Sequence, residues 1–182
     1  MGNGGSATID VAALFGDAAK VVTVWKWVAA QAAWAFYTPL ANDGGAAYAA
    51  IKGYQFANSI NGGEGFWVNA KTGFAVQLPA GTAIASTSFQ TMAPGWNLIA
   101  VGDAKTPSQF NRSLSATSPP ADVIPLNLTT LWAWDAMLSN WYFYAPSLEQ
   151  SGGLPNYVQS KGYLDFGTNV LTSTTGFWVN KP

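Results

Sequence analysis

Hydrophobic positions along the chain fall into short blocks of two periods. Val21 to Val28 is rich in β-branched and aromatic residues, Trp34 to Tyr37 is a second such run, and Ala29 to Ala33 lies between them, so the segment predicts a hairpin with a five-residue loop. Strand parity places Trp25 and Trp27 on one face and lets them meet Trp34 and Phe36 as a four-aromatic cluster. The opposite face carries Val22, Val24, Lys26 and Val28, and its mixed polarity predicts partial exposure. Helical spacing appears at Ile9, Val11, Leu14 and Phe15 behind Thr8, at Ala46 to Lys52 before Gly53, at Thr106-Pro107-Ser108-Gln109-Phe110, and at Leu154 to Lys161 before Gly162. In these runs Thr is the expected N-cap, Pro occupies the first turn and Gly the stop. Phe66-Trp67-Val68-Asn69 reads as a strand after a Gly-rich turn, with further strands expected at Phe74 to Leu78 and Phe89 to Met92. Pro94 to Val101 reads as a turn and a largely buried strand, and Ser113 to Leu128, with three prolines, as a long surface connection.

The blocks recur. Trp25 to Trp132, Trp27 to Trp134, Trp34 to Trp141, Phe36 to Phe143 and Pro39 to Pro146 are each separated by 107 residues. Lys52-Gly53-Tyr54 returns as Lys161-Gly162-Tyr163 at an offset of 109, and Gly65 to Asn69 returns as Gly176 to Asn180 at 111. A period of about 110 residues is too long for a solenoid and predicts two homologous halves about an approximate two-fold axis. The division is 1–75 for the first repeat, 76–93 for connecting strands and 94–182 for the second repeat. The expected fold is mainly β, an antiparallel sheet, sandwich or barrel-like arrangement with a few short helices, both halves forming one compact unit. In the second copy the aromatic face would hold Trp132, Trp134, Trp141 and Phe143, and its opposite Leu131, Ala133 and Asp135. Because both copies keep the tryptophans inside strand patterns, most of them are expected in the core with their N–H groups satisfied internally.

Composition narrows the chemistry. Charged residues are 9% of the 182, against a usual share of about 25%, so the surface must be covered by small and neutral polar residues. Eight basic and nine acidic residues, spread singly, provide no electrostatic footprint for nucleic acid or an anionic membrane. No apolar run approaches the roughly 20 residues that span a bilayer, and the start lacks the pattern of an export signal. The chain contains neither Cys nor His. Thiolate and imidazole catalysis and ordinary zinc or haem ligation are thereby excluded, and no cofactor is expected. Asn42-Asp43 and Asn61 lack the alternating acidic pattern of a calcium loop, so no metal site is expected.

Taken together, Trp96-Asn97-Leu98 after Pro94-Gly95, the WxW hairpin with its FY close, the KGY turn and the final GFWVN resemble a family of uncharacterised tandem repeats in large proteobacterial surface or secreted proteins. The resemblance covers the whole chain and implies an extracellular or cell-surface setting and a non-catalytic role. The first copy departs from the pattern, beginning at Met1 just after the point where its GWNL strand would lie. An open sheet edge is therefore expected there, filled by the region from Phe74 to Met92 in a monomer or, alternatively, by strand exchange in a dimer.

Two function classes follow. One is a binding or adhesion module for polysaccharide or surface glycan, with Trp67, Trp178, Tyr54 and Tyr163 as ligand-contacting candidates. Trp67 and Trp178 lie on the opposite strand face from Phe66 and Val68, or Phe177 and Val179, and are expected to be partly exposed. The other is a small glycosidase-like hydrolase using a carboxylate pair, Glu64 with Glu149 or Asp165. Glu64 attracts that reading because its counterpart in the second copy is Thr175.

Overall fold

The computed structural model describes all residues from Met1 to Pro182. The chain forms a mixed α/β fold with several sheets, antiparallel and mixed, and short helices. Strand β1 (Ile9–Asp10) runs into helix α1 (Val11–Phe15), followed by β2 (Val21–Val28), a 3₁₀ turn at Ala29–Gln31, β3 (Ala33–Tyr37), α2 (Ala46–Lys52), β4 (Gln55–Phe56), β5 (Ser59–Ile60) and β6 (Phe66–Ala70). A second 3₁₀ turn at Ser86–Phe89 precedes β7 (Gly95–Ile99), α3 (Pro107–Ser113), β8 (Thr130–Asp135), β9 (Asn140–Tyr144), α4 (Pro146–Gln150), α5 (Leu154–Lys161), β10 (Leu164–Asp165) and β11 (Phe177–Lys181). The larger sheets run β4-β3-β2-β6 and β10-β9-β8-β11-β7, while β1 and β5 pair separately. Their hairpins and long pairings are antiparallel. The edge strands β4 and β10 join in parallel, each delivered by the preceding helix.

Registers follow the sequence offsets. Trp25 stands between Phe36 and Trp67, and Trp132 between Phe143 and Trp178. The expected hairpin cluster therefore forms in each sheet, with Ala32 closing the first loop in the left-handed region at φ 47°. Capping also follows local chemistry. Thr106 and Gln109 make a reciprocal capping box at α3, with Pro107 in the first turn. Asp43 accepts from the backbone N–H of Gly45 and Ala47 ahead of α2, and Gly53 and Gly162 stop α2 and α5 at φ 72° and 70°. At α1 the cap is Asp10 rather than Thr8, its carboxylate accepting from Ala13.

The two larger core clusters lie on the faces expected to be partly exposed, while Phe36 and Phe143 on the aromatic faces are buried as expected. The packed interior lies on the side of Val24, Ala35 and Phe66 in one sheet and of Leu131, Ala133, Phe177 and Val179 in the other, all buried. Helix α1 supplies Val11 and Phe15 to cover the first, with Phe15 against Phe66 at 5.7 Å between ring centres. Helix α3 supplies Phe110 to the second, 5.2 Å from Phe177. None of the nine tryptophans is among the fully buried residues.

The segment between β6 and β7 also corrects an expectation, since it contains no strand. Phe74, Val76 and Leu78 pack on the first apolar cluster from an irregular stretch, and Phe89 closes a 3₁₀ turn. The backbone of this stretch is tied elsewhere: Ser6 donates to the Thr82 carbonyl, and Ile84 to that of Gly4. Between α3 and β8, residues 114–129 contain no helix or strand, close to the connection expected from Ser113 to Leu128, although they send Leu128 into the second cluster.

Candidate functional site

The two aromatic sheet faces meet each other, and the site lies where they meet. Within the first sheet Trp25 packs on Phe36 (4.6 Å), Tyr54 (5.2 Å) and Trp34 (6.1 Å), and Trp27 on Trp34 (5.3 Å). Within the second, Trp132 packs on Phe143 (4.5 Å), Tyr163 (5.0 Å) and Trp141 (6.3 Å), and Trp134 on Trp141 (5.1 Å). Contacts across the gap are matched in the same way. Trp178 meets Trp27 and Trp34 at 5.9 and 5.7 Å, and Trp67 meets Trp134 and Trp141 at 6.5 and 5.7 Å. Most of these rings are edge-on or tilted, the arrangement favoured by the indole quadrupole.

Interlocked edges cannot fill the space between two sheets, and two clefts remain. One, of about 480 Å³, is lined by Trp27, Trp96, Trp132, Trp141, Tyr163 and Trp178. The other, of about 470 Å³, is lined by Trp25, Trp34, Tyr54, Trp67, Trp141 and Trp178. Each takes residues from both sheets and contains no charged side chain. Trp96, 44% exposed, forms the outer lip of the first.

All four ligand-contacting candidates lie on these walls: Tyr54 and Trp67 in the second cleft, Tyr163 in the first, and Trp178 in both. Of the six tryptophans expected to be mostly buried, Trp25, Trp27, Trp34, Trp132 and Trp141 are partly buried and only Trp134, 38% exposed, departs to the surface. The physical reason is that α1 and α3 cover the other face, so the indoles pack on one another and on Phe36, Tyr54, Phe143 and Tyr163 where the two sheets meet. Besides Trp25, Trp27, Trp34, Trp132 and Trp141, which were expected in the core, Trp96 went unpredicted as a lining residue. The signal that could have found it is the strand alternation that puts Trp96 across from Asn180, on the same face as Trp178.

The indole N–H groups are partly satisfied. Trp25 donates to the Thr23 hydroxyl at 3.0 Å and Trp27 to the Trp96 carbonyl at 2.8 Å, while Trp132 Nε1 is buried without an acceptor.

The carboxylates are engaged elsewhere, and none lines an aromatic cleft. Glu64 accepts from Lys26 Nζ at 2.8 Å and from the Asn61 N–H at 2.7 Å. Its counterpart Thr175 accepts from the N–H of Thr172 through its hydroxyl, so both residues close the same turn. Glu149 accepts from the Tyr144 hydroxyl at 2.6 Å, and Asp165 from the Gly167 N–H at 2.9 Å. No hydrogen bond or ion pair joins any two of the three. Burial first, and the hydrogen bond to Glu149 second, push the Tyr144 phenol well above its ordinary range.

No helix is long and apolar enough to cross a membrane. Compared with known proteins, the chain matches no family model, no curated protein and no solved structure.

Proposed function

We propose that the protein is a non-catalytic binding module whose ligand surface is the pair of aromatic clefts, and that the ligand is a neutral polysaccharide or surface glycan. One observation carries this reading: six aromatic residues and no charge line each cleft, at a size typical of small-ligand sites. Exposed apolar surface gathered in one place is costly to leave in water and marks an interaction site. Pyranose rings present apolar C–H faces that match indole planes, and an uncharged wall offers nothing to a sulfate or uronate. The resemblance to surface-protein repeats supports an extracellular setting.

The same reading takes 1–75 and 94–182 as duplicated halves about an approximate two-fold axis. The matched ring contacts at sequence offsets of 107 to 111 support it, as do Lys52 over Tyr48 and Lys161 over Tyr157 at 5.9 and 6.0 Å.

A neutral and anionic glycan array, read with a reducing-sugar assay on the same ligands, tests the proposal. Binding of neutral glycans without turnover, weakened by Trp96→Ala and by Tyr54→Ala, is expected. Hydrolysis abolished by Glu64→Gln, or binding indifferent to both aromatic substitutions, overturns it.

A further inference from the structure

In each cleft one indole is crossed nearly at right angles by two other rings, and the crossing recurs in both halves. Trp25 stands 6.1 Å from Trp34 at 86° and 5.2 Å from Tyr54 at 80°. Trp132 stands 6.3 Å from Trp141 at 90° and 5.0 Å from Tyr163 at 82°. The three rings of the first set all line one cleft, and the three of the second all line the other. All six keep partial exposure, so solvent reaches both sets. Trp178, which lines both clefts, extends the pattern, at 80° to Trp34 in one and 88° to Trp96 in the other.

Perpendicular rings offer something that a single flat platform does not. Where the edge of one ring meets the face of another, the corner between them is bounded by two π faces at right angles. A compact, nearly spherical group touches both faces at once, and because the ring quadrupole makes each face negative, a cation is attracted by both. The polar groups decide which cation. No carboxylate lines either cleft, and the one side-chain oxygen in each corner is the hydroxyl of Tyr54 or Tyr163. A primary ammonium would give up its hydrogen bonds to water and recover few of them there. A quaternary ammonium has no N–H to satisfy, and its methyl groups suit apolar walls.

We propose that the corner of Trp25, Trp34 and Tyr54 and the corner of Trp132, Trp141 and Tyr163 are two equivalent cages for a trimethylammonium group, carried by a small free ligand of the choline class. Each cleft, at about 470 and 480 Å³, is larger than that group and leaves room for the chain that bears it. The inference goes beyond the glycan reading and does not rest on it, because it uses the corners between rings and not single ring planes.

The test titrates the whole chain with choline and with its neutral isostere, the alcohol in which a tert-butyl group replaces trimethylammonium, and follows the indole resonances. Saturable shifts at Trp25 and Trp132 are expected with millimolar choline, and the neutral isostere should bind about tenfold more weakly. Ethanolamine, a primary ammonium, should be as weak as the isostere. Fluorotryptophan in place of tryptophan withdraws charge from the ring faces and keeps their shape, so it should weaken choline severalfold and leave the isostere unchanged. Tyr54→Leu and Tyr163→Leu should each remove one of two sites, and the fluorinated protein gives the answer even if those variants fail to fold. Equal binding of choline and its isostere, unmoved Trp25 and Trp132 resonances, or fluorination that weakens both ligands alike overturns the proposal. So does binding to phosphatidylcholine vesicles with no response to free choline. Neutral glycans that bind a protein indifferent to choline would leave the glycan reading standing and end this one.

Discussion

Trp27 donates its indole N–H to the carbonyl oxygen of Trp96 at 2.8 Å, tying the hairpin of the first sheet to the edge strand of the second. The bond matters because it fixes the lip of one cleft. Trp27→Phe removes the N–H donor together with one ring of the indole, and since Trp134→Phe loses the same ring, Trp27→Phe should lower stability by about 0.5–1 kcal/mol more than Trp134→Phe. Trp134→Phe, where no acceptor is present, should therefore change the urea midpoint by less. Equal shifts for the two substitutions would remove the bond from any role in holding the sheets together.

The placing of the two larger core clusters makes a larger contrast. Phe66 and Phe177 are fully buried, each against another phenylalanine and aliphatic side chains, and truncating either to Ala should cost about 3–5 kcal/mol. Trp134 is far larger but rests on its neighbours at the surface, and Trp134→Ala should cost less than about 2 kcal/mol. Denaturant midpoints ranking Trp134→Ala as the more damaging would return the indoles to the core.

Which residues share a face was legible in the sequence, because period two within a strand is a local property. Trp25, Trp27, Trp34 and Phe36 meet as their spacing predicts. Which face is covered was not legible. That depends on α1 and α3, whose Phe15 and Phe110 come from outside the hairpins. Lys26, on the inner face, hid the answer, since a lysine there argues for solvent. Its partner Glu64 lies 38 residues away, and the matching position 111 residues on is Thr175, not a carboxylate. An unpaired stretch beside β6 was expected with Phe74 to Met92 as its filler, and the manner of filling is what differs. Phe74, Val76 and Leu78 cover the apolar face, but their backbone forms no ladder with β6.

Lys26 and Glu64 form the least solvated ion pair of the molecule, with side-chain exposures of 12% and 31%. Their counterparts are Ala133 and Thr175. Glu64→Thr alone leaves the lysine ammonium on an apolar face without its acceptor and should cost about 1–2 kcal/mol, the partial exposure of Glu64 reducing the loss. The double substitution Lys26→Ala with Glu64→Thr reproduces the pairing of the second half and should recover at least half of it. Thermal unfolding of the single and double variants measures the recovery. A double variant no more stable than the single one would show that the pair is not coupled.

Tyr144 and Glu149 set the alkaline limit. Burial and the bond to Glu149 raise the Tyr144 phenol in the folded state, and burial followed by the Asp10 charge raises Tyr37 in the same direction. A tyrosine in the unfolded chain ionises near pH 10. A raised folded value means that the stabilisation is complete below about pH 10 and declines above it, because only the unfolded state releases the proton there. The slope contributed by each such tyrosine approaches about 1.4 kcal/mol per pH unit. Urea midpoints should therefore be flat with respect to these groups from neutral pH to about 9.5 and fall steeply beyond it. Tyr144→Phe should be less stable at neutral pH by about 1–2 kcal/mol, since Glu149 loses a charge-assisted donor. It should also fall less steeply above pH 10, so that the two curves converge. An ultraviolet titration of the native protein should leave Tyr144 and Tyr37 protonated after the exposed tyrosines have ionised. Parallel curves for the parent and Tyr144→Phe would show that this phenol titrates normally and would remove it from the account.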